Sequence, residues 1–289
     1  MLFRSYLAPL VSRDTSGLPD VGYSDINGEH EAYAAINALA AYDVIVGNEN
    51  GEFRPDDTVT VQEAIKMIVC AMGYESMAKE KGGYPLGYTQ IAAAKGITKS
   101  TDAVYSEKLQ LGQALIMLLN MLESDISDSV FNGILNPAGK TKSNYMNNRL
   151  SVYKIKDVVT DNGVTALDGK TSVLKDEIRI GDVVINDVPN GRDLLGKYAE
   201  VYYKFSEEID DRSFLYCNIN NSRNQIIKLA TSNIDGYENM TYRYQVDEFS
   251  QTEKMRLDAG FTVIYNGKAV ESTAVLNQEL MKPDRKSVV

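Results

Sequence analysis

The sequence predicts an α+β protein in two domains: an N-terminal all-α repeat bundle, then an antiparallel β-rich small barrel or sandwich. Three observations predict it. Up to about residue 125, apolar residues recur at three- and four-residue intervals, the period of a helix with one covered face. Beyond Asn144-Tyr-Met-Asn-Asn148 that spacing gives way to short alternating runs, the period of half-buried strands. The chain has 289 residues, 44% hydrophobic and 24% charged, which is ordinary globular composition with room for two cores.

In chain order, residues 1–22 form a start segment. Tyr6-Leu-Ala-Pro-Leu-Val11 reads as the last turns of a helix from an earlier repeat, and Arg13 to Gly22, rich in Asp, Ser, Gly and Pro, as the linker out of it. Met1-Leu-Phe-Arg-Ser5 and Asp284-Arg-Lys-Ser-Val-Val289 back-translate to the two orientations of a common sequencing adapter, which predicts that neither end is native. No signal segment, positively charged and then apolar, is visible, as expected of a fragment that opens inside a repeat.

Residues 23–83 hold one complete repeat. Ala32, Ala35, Ile36, Leu39 and Ala40 line a single helical stripe that something else must cover. Asn50-Gly51 supplies the positive φ of a sharp reversal, and Pro55 bars helix until the chain reaches Thr60. Thr60 and Glu63 carry the signature of a capping box, after which Ala64, Ile65, Ile68, Val69 and Met72 follow at helical spacing. Gly73 stands where a C-cap glycine belongs. Residues 84–125 repeat the scheme in degenerate form, with Tyr88 to Ala94, Gly96-Ile97, and an apolar helix through Leu111, Leu115, Leu118 and Leu122. Units of roughly fifty residues are each too small to bury an apolar face alone. Residues 126–150 read as a linker.

Together the motifs of the first repeat resemble the S-layer homology (SLH) domain family of bacterial cell-surface proteins. That family's pattern runs Phe-x-Asp-Val, His-Trp-Ala, Ala-Ile-x-x-Leu, Gly-Ile-Ile-x-Gly, Asp-Gly-x-Phe-x-Pro, then Thr-Arg-Ala-Glu. The chain matches it at Asp25, His30, Ala32, Ala35, Ile36, Leu39, Ile45, Gly47, Gly51, Phe53, Pro55, Thr60 and Glu63. The resemblance implies a pseudo-threefold bundle of three repeats, whose grooves bind a secondary cell-wall polysaccharide carrying a pyruvylated sugar. It also implies that the arginine of Thr-Arg-Ala-Glu grips the ketal carboxylate as a planar two-pronged donor. Here the corresponding positions are Val61 and, in the second repeat, Leu111, and neither can hold an anion. Glu31 replaces the family's sugar-stacking tryptophan and would repel an acidic polymer. The remaining candidates for polysaccharide contact are Arg54, beside Phe53, and His30. Asp25, Gly47, Gly51, Phe53, Pro55, Thr60 and Glu63 form the structural motif.

Residues 151–246 form the β-rich domain. Its strand candidates are Ser151 to Val159, Glu177 to Ile185, Lys197 to Phe205, Phe214 to Ile219, Gln225 to Leu229 and Thr241 to Val246. Residues 247–289 are expected to hold a partial β segment, with Phe261 to Tyr265 as a strand, Asn266-Gly267 as a hairpin cue and a non-native C-terminal end. Tyr198, Tyr202, Tyr203 and Tyr216 could stack on a sugar, but tyrosines on half-buried strands are more often packing residues with a wet hydroxyl.

A net charge of -10 argues against a nucleic-acid partner, whose phosphates require concentrated Lys and Arg. No apolar run approaches the roughly twenty residues of a membrane helix, so no membrane insertion is expected. Cys70 and Cys217 fall in different domains and read as small core residues. His30 is the one histidine, and no nucleophile elbow, His-Glu-x-x-His helix or Cys-x-x-Cys pair is present, so the chain is read as no enzyme, with no catalytic residue, metal or cofactor. Gly133 to Thr141 and Gly163 to Thr171 both end in Gly-Lys-Thr, but each carries one residue too many for a phosphate loop. Asn48 to Glu52 crowds oxygen ligands around Gly51 without the spacing of a calcium loop and reads as a plain turn. Glu207-Glu208 and Asp210-Asp211 read as a solvated loop.

The expected function is that of a non-enzymatic protein of the bacterial envelope or S-layer, attached to cell-wall polysaccharide by its SLH repeats and displaying the β-rich module. Two alternatives stand beside it. A degenerate bundle could dock other envelope proteins, or the chain could be the anchor of a surface enzyme whose catalytic domain lies beyond the fragment. The oligomeric state is left open by the sequence.

Overall fold

A computed structural model describes residues 2–11, 18–126, 144–227, 229–247, 249–258, 260–265 and 268–270. The chain divides into two compact units, Met1–Val152 and Tyr153–Val289.

The first unit is helical: α1 (Leu2–Val11), α2 (Tyr33–Ala41), α3 (Val61–Ala71), α4 (Glu75–Glu80), α5 (Leu86–Ala94), α6 (Leu111–Glu123) and α7 (Tyr145–Leu150). Helices α1, α3 and α6 touch one another, α2 lies against α1, and α5 lies against α3. Leu7, Ile36, Leu39, Ile65, Ile68, Met72, Ile97, Met117 and Met121 are all fully buried in one continuous core, so no repeat completes its own. The expected stripe of α2 is present but drifts, since Ile36, Ala38 and Leu39 are buried while Ala35 and Ala40 are half-buried. The apolar helix read through Leu111, Leu115, Leu118 and Leu122 is present as α6, where Ala114, Met117, Leu118 and Met121 face the core and Leu111 and Leu115 are 50% and 49% exposed. Residues 145–150, expected in the linker 126–150, form α7, where the Tyr145 hydroxyl donates to the Leu10 carbonyl at 3.1 Å. Phe3 is 5% exposed and packs in the same core.

The second unit is β-rich. Strands β1 (Val152–Asp161), β2 (Ile178–Ile180), β3 (Val183–Ile185), β4 (Tyr198–Ser206) and β5 (Asp211–Ile219) form a sheet in the order β3-β2-β1-β4-β5. β1 with β2, β2 with β3 and β4 with β5 pair antiparallel. The sheet curls until its edge strands meet: the Asn186 amide donates to the Arg212 carbonyl at 2.9 Å, and the Phe214 amide donates to the Asn186 carbonyl at 3.1 Å. Inward-facing Tyr153, Val159, Ile178, Ile180, Ile185, Ala199, Val201 and Tyr203 form its core. The run Glu177 to Ile185 splits into two strands because Gly181, at φ +55°, turns the chain between them.

Beyond it, β6 (Ile234–Glu238), β7 (Thr241–Tyr244) and β8 (Glu253–Arg256) make an antiparallel sheet, and β9 (Val263–Tyr265) pairs with β10 (Lys268–Val270). β6 and β8 carry too little alternation to stand out in the sequence. Gln225, Ile226, Ile227 and Leu229, expected in a strand, belong to no strand among the described residues. The cue Asn266-Gly267 lies outside the described residues, as do 133–141 and 284–289.

Candidate functional site

The turn between α2 and α3 is organised by a carboxylate. Asp25 Oδ1 accepts the Phe53 amide at 2.7 Å and Oδ2 accepts the Arg54 amide at 2.6 Å, so one exposed side chain pins a reversal 28 residues away. These amide donors, that of Phe53 foremost, hold the Asp25 carboxyl below its ordinary value. Asn48 Oδ1 accepts the amides of Asn50 and Glu52, both at 2.9 Å, which makes Asn48 to Glu52 the plain turn expected. Gly51, at φ +74°, supplies the one positive φ of the Asn50-Gly51 pair. Gly47 is required for a different reason: a Cβ there would lie 2.5 Å from the Tyr23 ring and 3.0 Å from the Glu52 carbonyl.

The N-termini of α3 and α6 lie side by side and are built alike. Thr60 caps α3, with Glu63 returning to the Thr60 amide at 2.8 Å, and Gln113 returns to the Gln110 amide at 3.0 Å at the start of α6. The segments leading into them are tied together: the Leu109 amide donates to the Val59 carbonyl at 2.8 Å, and the Val61 amide to the Glu107 carbonyl at 2.9 Å.

His30 Nδ1 accepts the Ala32 amide at 3.1 Å, which leaves the proton on Nε2, 4.0 Å from Asp56 Oδ1. Arg54 is held by its backbone at φ +58°, and its guanidinium meets Asp57 at 3.4 Å with both side chains mostly in water. The two sequence-derived candidates therefore border one turn, each already facing a carboxylate.

Comparison with known proteins bears on this turn directly. Residues 22–65 match the model of the S-layer homology domain, the span that holds the Asp25 clamp and the Thr60 cap. This stretch is an S-layer homology domain. The chain is also similar to the Middle cell wall protein of Brevibacillus brevis (strain 47 / JCM 6285 / NBRC 100599), with 28% identity over 108 residues. That match covers 37% of this chain and 10% of the relative's length. No solved structure matches.

Val61, inside the matched span, is the first residue of α3, and Leu111, outside it, is the first residue of α6, so the two positions aligned by sequence occupy the same place in their helices. Val61 is 0% exposed and points into the core. The cation that does lie against the SLH turn is Arg4, from α1. Its guanidinium sits 4.7 Å from the Phe53 ring centre, and Nη1 donates to the Pro55 carbonyl at 3.2 Å. Burial lowers its pKa, against the pull of Glu63 and Asp57, and Nε is buried without a hydrogen-bond partner among the described residues. Sequence reasoning missed Arg4 because residues 1–5 were set aside. The spacing of Phe3, Leu7 and Leu10, which extends the helix read from Tyr6, was the available signal.

Arg4 and Arg54 thus stand among Asp25, Asp56, Asp57 and Glu63, two guanidiniums to four carboxylates among the described residues. Aromatic area is present, with Tyr23 and Phe53 rings 5.4 Å apart, but the local charge opposes an acidic ligand.

In the β unit the loop 163–171 is built around a carboxylate. Asp161 accepts the amides of Gly163 and Ser172, at 3.0 and 2.7 Å, and the Thr171 hydroxyl at 2.8 Å. Burial works to raise its pKa, but these donors hold it lowered, so the donors a phosphate would need are taken. The tyrosines divide by strand alternation. Tyr203 is buried and stacks on Tyr153 at 5.7 Å, Tyr198 lies beneath Arg223 at 4.6 Å, and Tyr202 and Tyr216 pair at 6.1 Å, with Tyr216 exposed. The Tyr202 hydroxyl donates to Glu200, which also meets Lys156 at 2.7 Å. Both cysteines are small half-buried residues, and burial pushes the Cys70 thiol up to about 11.

Proposed function

We propose that this chain is a non-enzymatic component of a bacterial cell envelope, mounted by its SLH-containing helical unit and displaying the β unit. The observation that carries the reading is the SLH match over residues 22–65, joined by similarity to a cell-wall protein. The matched residues build a rigid turn at the surface of the helical unit, as an attachment module requires.

A second reading draws on a specific observation: Val61 is buried where the family's pattern has arginine, and carboxylates outnumber guanidiniums around the turn. On it the same surface docks another envelope protein rather than an acidic polysaccharide. Co-sedimentation of the full chain separates the two. Pelleting with protease-stripped cell walls that is lost on removal of pyruvyl groups supports polysaccharide attachment. Pelleting with intact envelopes alone supports protein docking, and pelleting with neither overturns both.

A further inference from the structure

Within the β unit, the segments 193–197 and 223–229 and the strands β7, β8 and β9 line a cleft of about 1140 Å³. Its apolar wall follows from strand alternation. Tyr242 and Tyr244 are buried while Arg243 between them is exposed, so one face of β7 turns inward, and Met255 of β8, paired with Tyr242, continues that face. The segment 225–229 has the composition of a strand but adds to no sheet among the described residues, and it gives side chains to the cleft instead. Ile226 and Ile227 are 55% and 39% exposed there, and Ile264 of β9 is 37% exposed. Branched apolar side chains that line a concavity and still meet water mark a surface that a ligand covers.

Charge at this cleft runs against the charge of the chain. The protein carries a net charge of -10, yet the cleft is lined by Lys197, Arg223 and Lys254 against one carboxylate among the described residues, that of Asp193. None of the three cations is in an ion pair among the described residues. A clamp brings the chain at Lys197 and at Arg223 together: Asn224 Oδ1 accepts the Tyr198 amide at 2.8 Å, and Nδ2 donates to the Tyr198 carbonyl at 2.7 Å. The Arg223 guanidinium lies 4.6 Å from the Tyr198 ring centre. An arginine seated on a ring keeps its in-plane N–H donors for an anion.

We propose that the cleft binds an anionic amphiphile: an acyl chain covers Ile226, Ile227 and Met255, and its carboxylate or phosphate head meets Lys197 and Arg223. The wall is built chiefly of aliphatic and aromatic side chains. That suits a chain without polar groups better than a peptide, whose every residue brings backbone groups that need partners. The assignment goes beyond envelope attachment and holds whichever ligand the SLH domain takes.

Isothermal titration calorimetry of the full chain with dodecyl phosphate and dodecyl maltoside, each below its micelle concentration, tests the site. Dodecyl phosphate is expected to bind about tenfold or more tighter than the maltoside, which has the same chain and no charge, and inorganic phosphate is expected not to bind. Lys197→Gln with Arg223→Gln should weaken dodecyl phosphate about tenfold and leave the maltoside unchanged. Lys81→Gln with Lys99→Gln, which removes two exposed cations of the helical unit, should change neither. Ile227→Asp should weaken both amphiphiles, and Ile226→Ser, at a more exposed position, reads the same wall where Ile227→Asp does not fold. Co-sedimentation with phosphatidylglycerol vesicles separates the sources: vesicle binding that is lost in the Lys197, Arg223 variant assigns a membrane lipid, and binding of the soluble probe alone assigns a free amphiphile. No binding of dodecyl phosphate, equal affinity for the two heads, or affinity unmoved by the cation and isoleucine variants overturns the proposal. Tighter binding of an acidic extended peptide of alternating glutamate and valine overturns it as well, by assigning the cleft to a protein segment.

Discussion

At the scale of single residues, the helical unit depends on charged groups acting through geometry rather than through net charge. Asp25 is exposed, yet it supplies the acceptors for two backbone amides that would otherwise find only water in a strained turn. Asp25→Ala is expected to cost about 1 kcal/mol, a modest figure because solvent screens the site. The pH dependence has a definite sign. The folded value lies below the ordinary 3.8, so the contribution is complete above that value and disappears as pH falls through the depressed one. Melting temperatures of parent and Asp25→Ala should therefore differ at pH 6 and converge at the acid end. A difference that grows on acidification would contradict the clamp. Arg4 works by shape: its flat guanidinium covers Phe53 while one nitrogen reaches Pro55. Arg4→Lys should be destabilised about as much as Arg4→Ala, on the order of 1 kcal/mol by denaturant unfolding, because an ammonium point charge cannot do both. Recovery of parental stability by lysine would mean that charge alone is used.

At the scale of elements, helix starts and close crossings decide the architecture. Thr60→Ala removes one half of the capping box of α3 and should cost about 1 kcal/mol, read as a lower denaturation midpoint at unchanged slope. Gly87→Ala tests a crossing: its Cβ would come 1.9 Å from the Ala78 carbonyl oxygen, so α4 and α5 must separate. A loss of about 1–3 kcal/mol is expected, and a neutral substitution would show that the two helices do not cross this tightly. Much of this level was legible in the sequence. Thr60 with Glu63, Gly51, Gly73 and the period of α3 announced themselves through local chemistry, which needs only neighbours in the chain. The same reading missed Gln110 with Gln113 because glutamine is not a usual cap. Nor could spacing separate the exposed Leu111 and Leu115 from the buried Leu118, because it gives the period of a stripe but not which of two apolar stripes faces the core. β6 and β8 were missed for a related reason, since Asp235-Gly236 and Glu253-Lys254 acquire strand geometry only through pairing with β7. In the candidate site, Asp25 and His30 were legible as motif residues and Arg54 as the cation beside Phe53. That Arg4 reaches it from α1 depends on tertiary packing that no local pattern encodes.

At the scale of the whole molecule, the two units hold separate cores. The helical core draws on residues from Phe3 to Tyr145, the β core on residues from Tyr153 to Tyr203, and the two clusters share no side chain. Cooperativity follows shared buried contacts, so the expectation is two unfolding transitions rather than one. Ile68 in α3 and Ile180 in β2 are both fully buried, and truncating either to alanine removes comparable apolar volume, at about 2–5 kcal/mol. Calorimetry of the full chain should then resolve the units. Ile68→Ala is expected to lower only the transition that far-ultraviolet circular dichroism at the helical minimum reports. Ile180→Ala should lower only the other transition and leave the helical signal of the first unit unmoved. Independence of this kind suits the proposed function, in which one unit attaches and the other is presented, because strain on the first need not loosen the second. A single transition, displaced as a whole by either substitution, would mean that the units stabilise each other and unfold as one body.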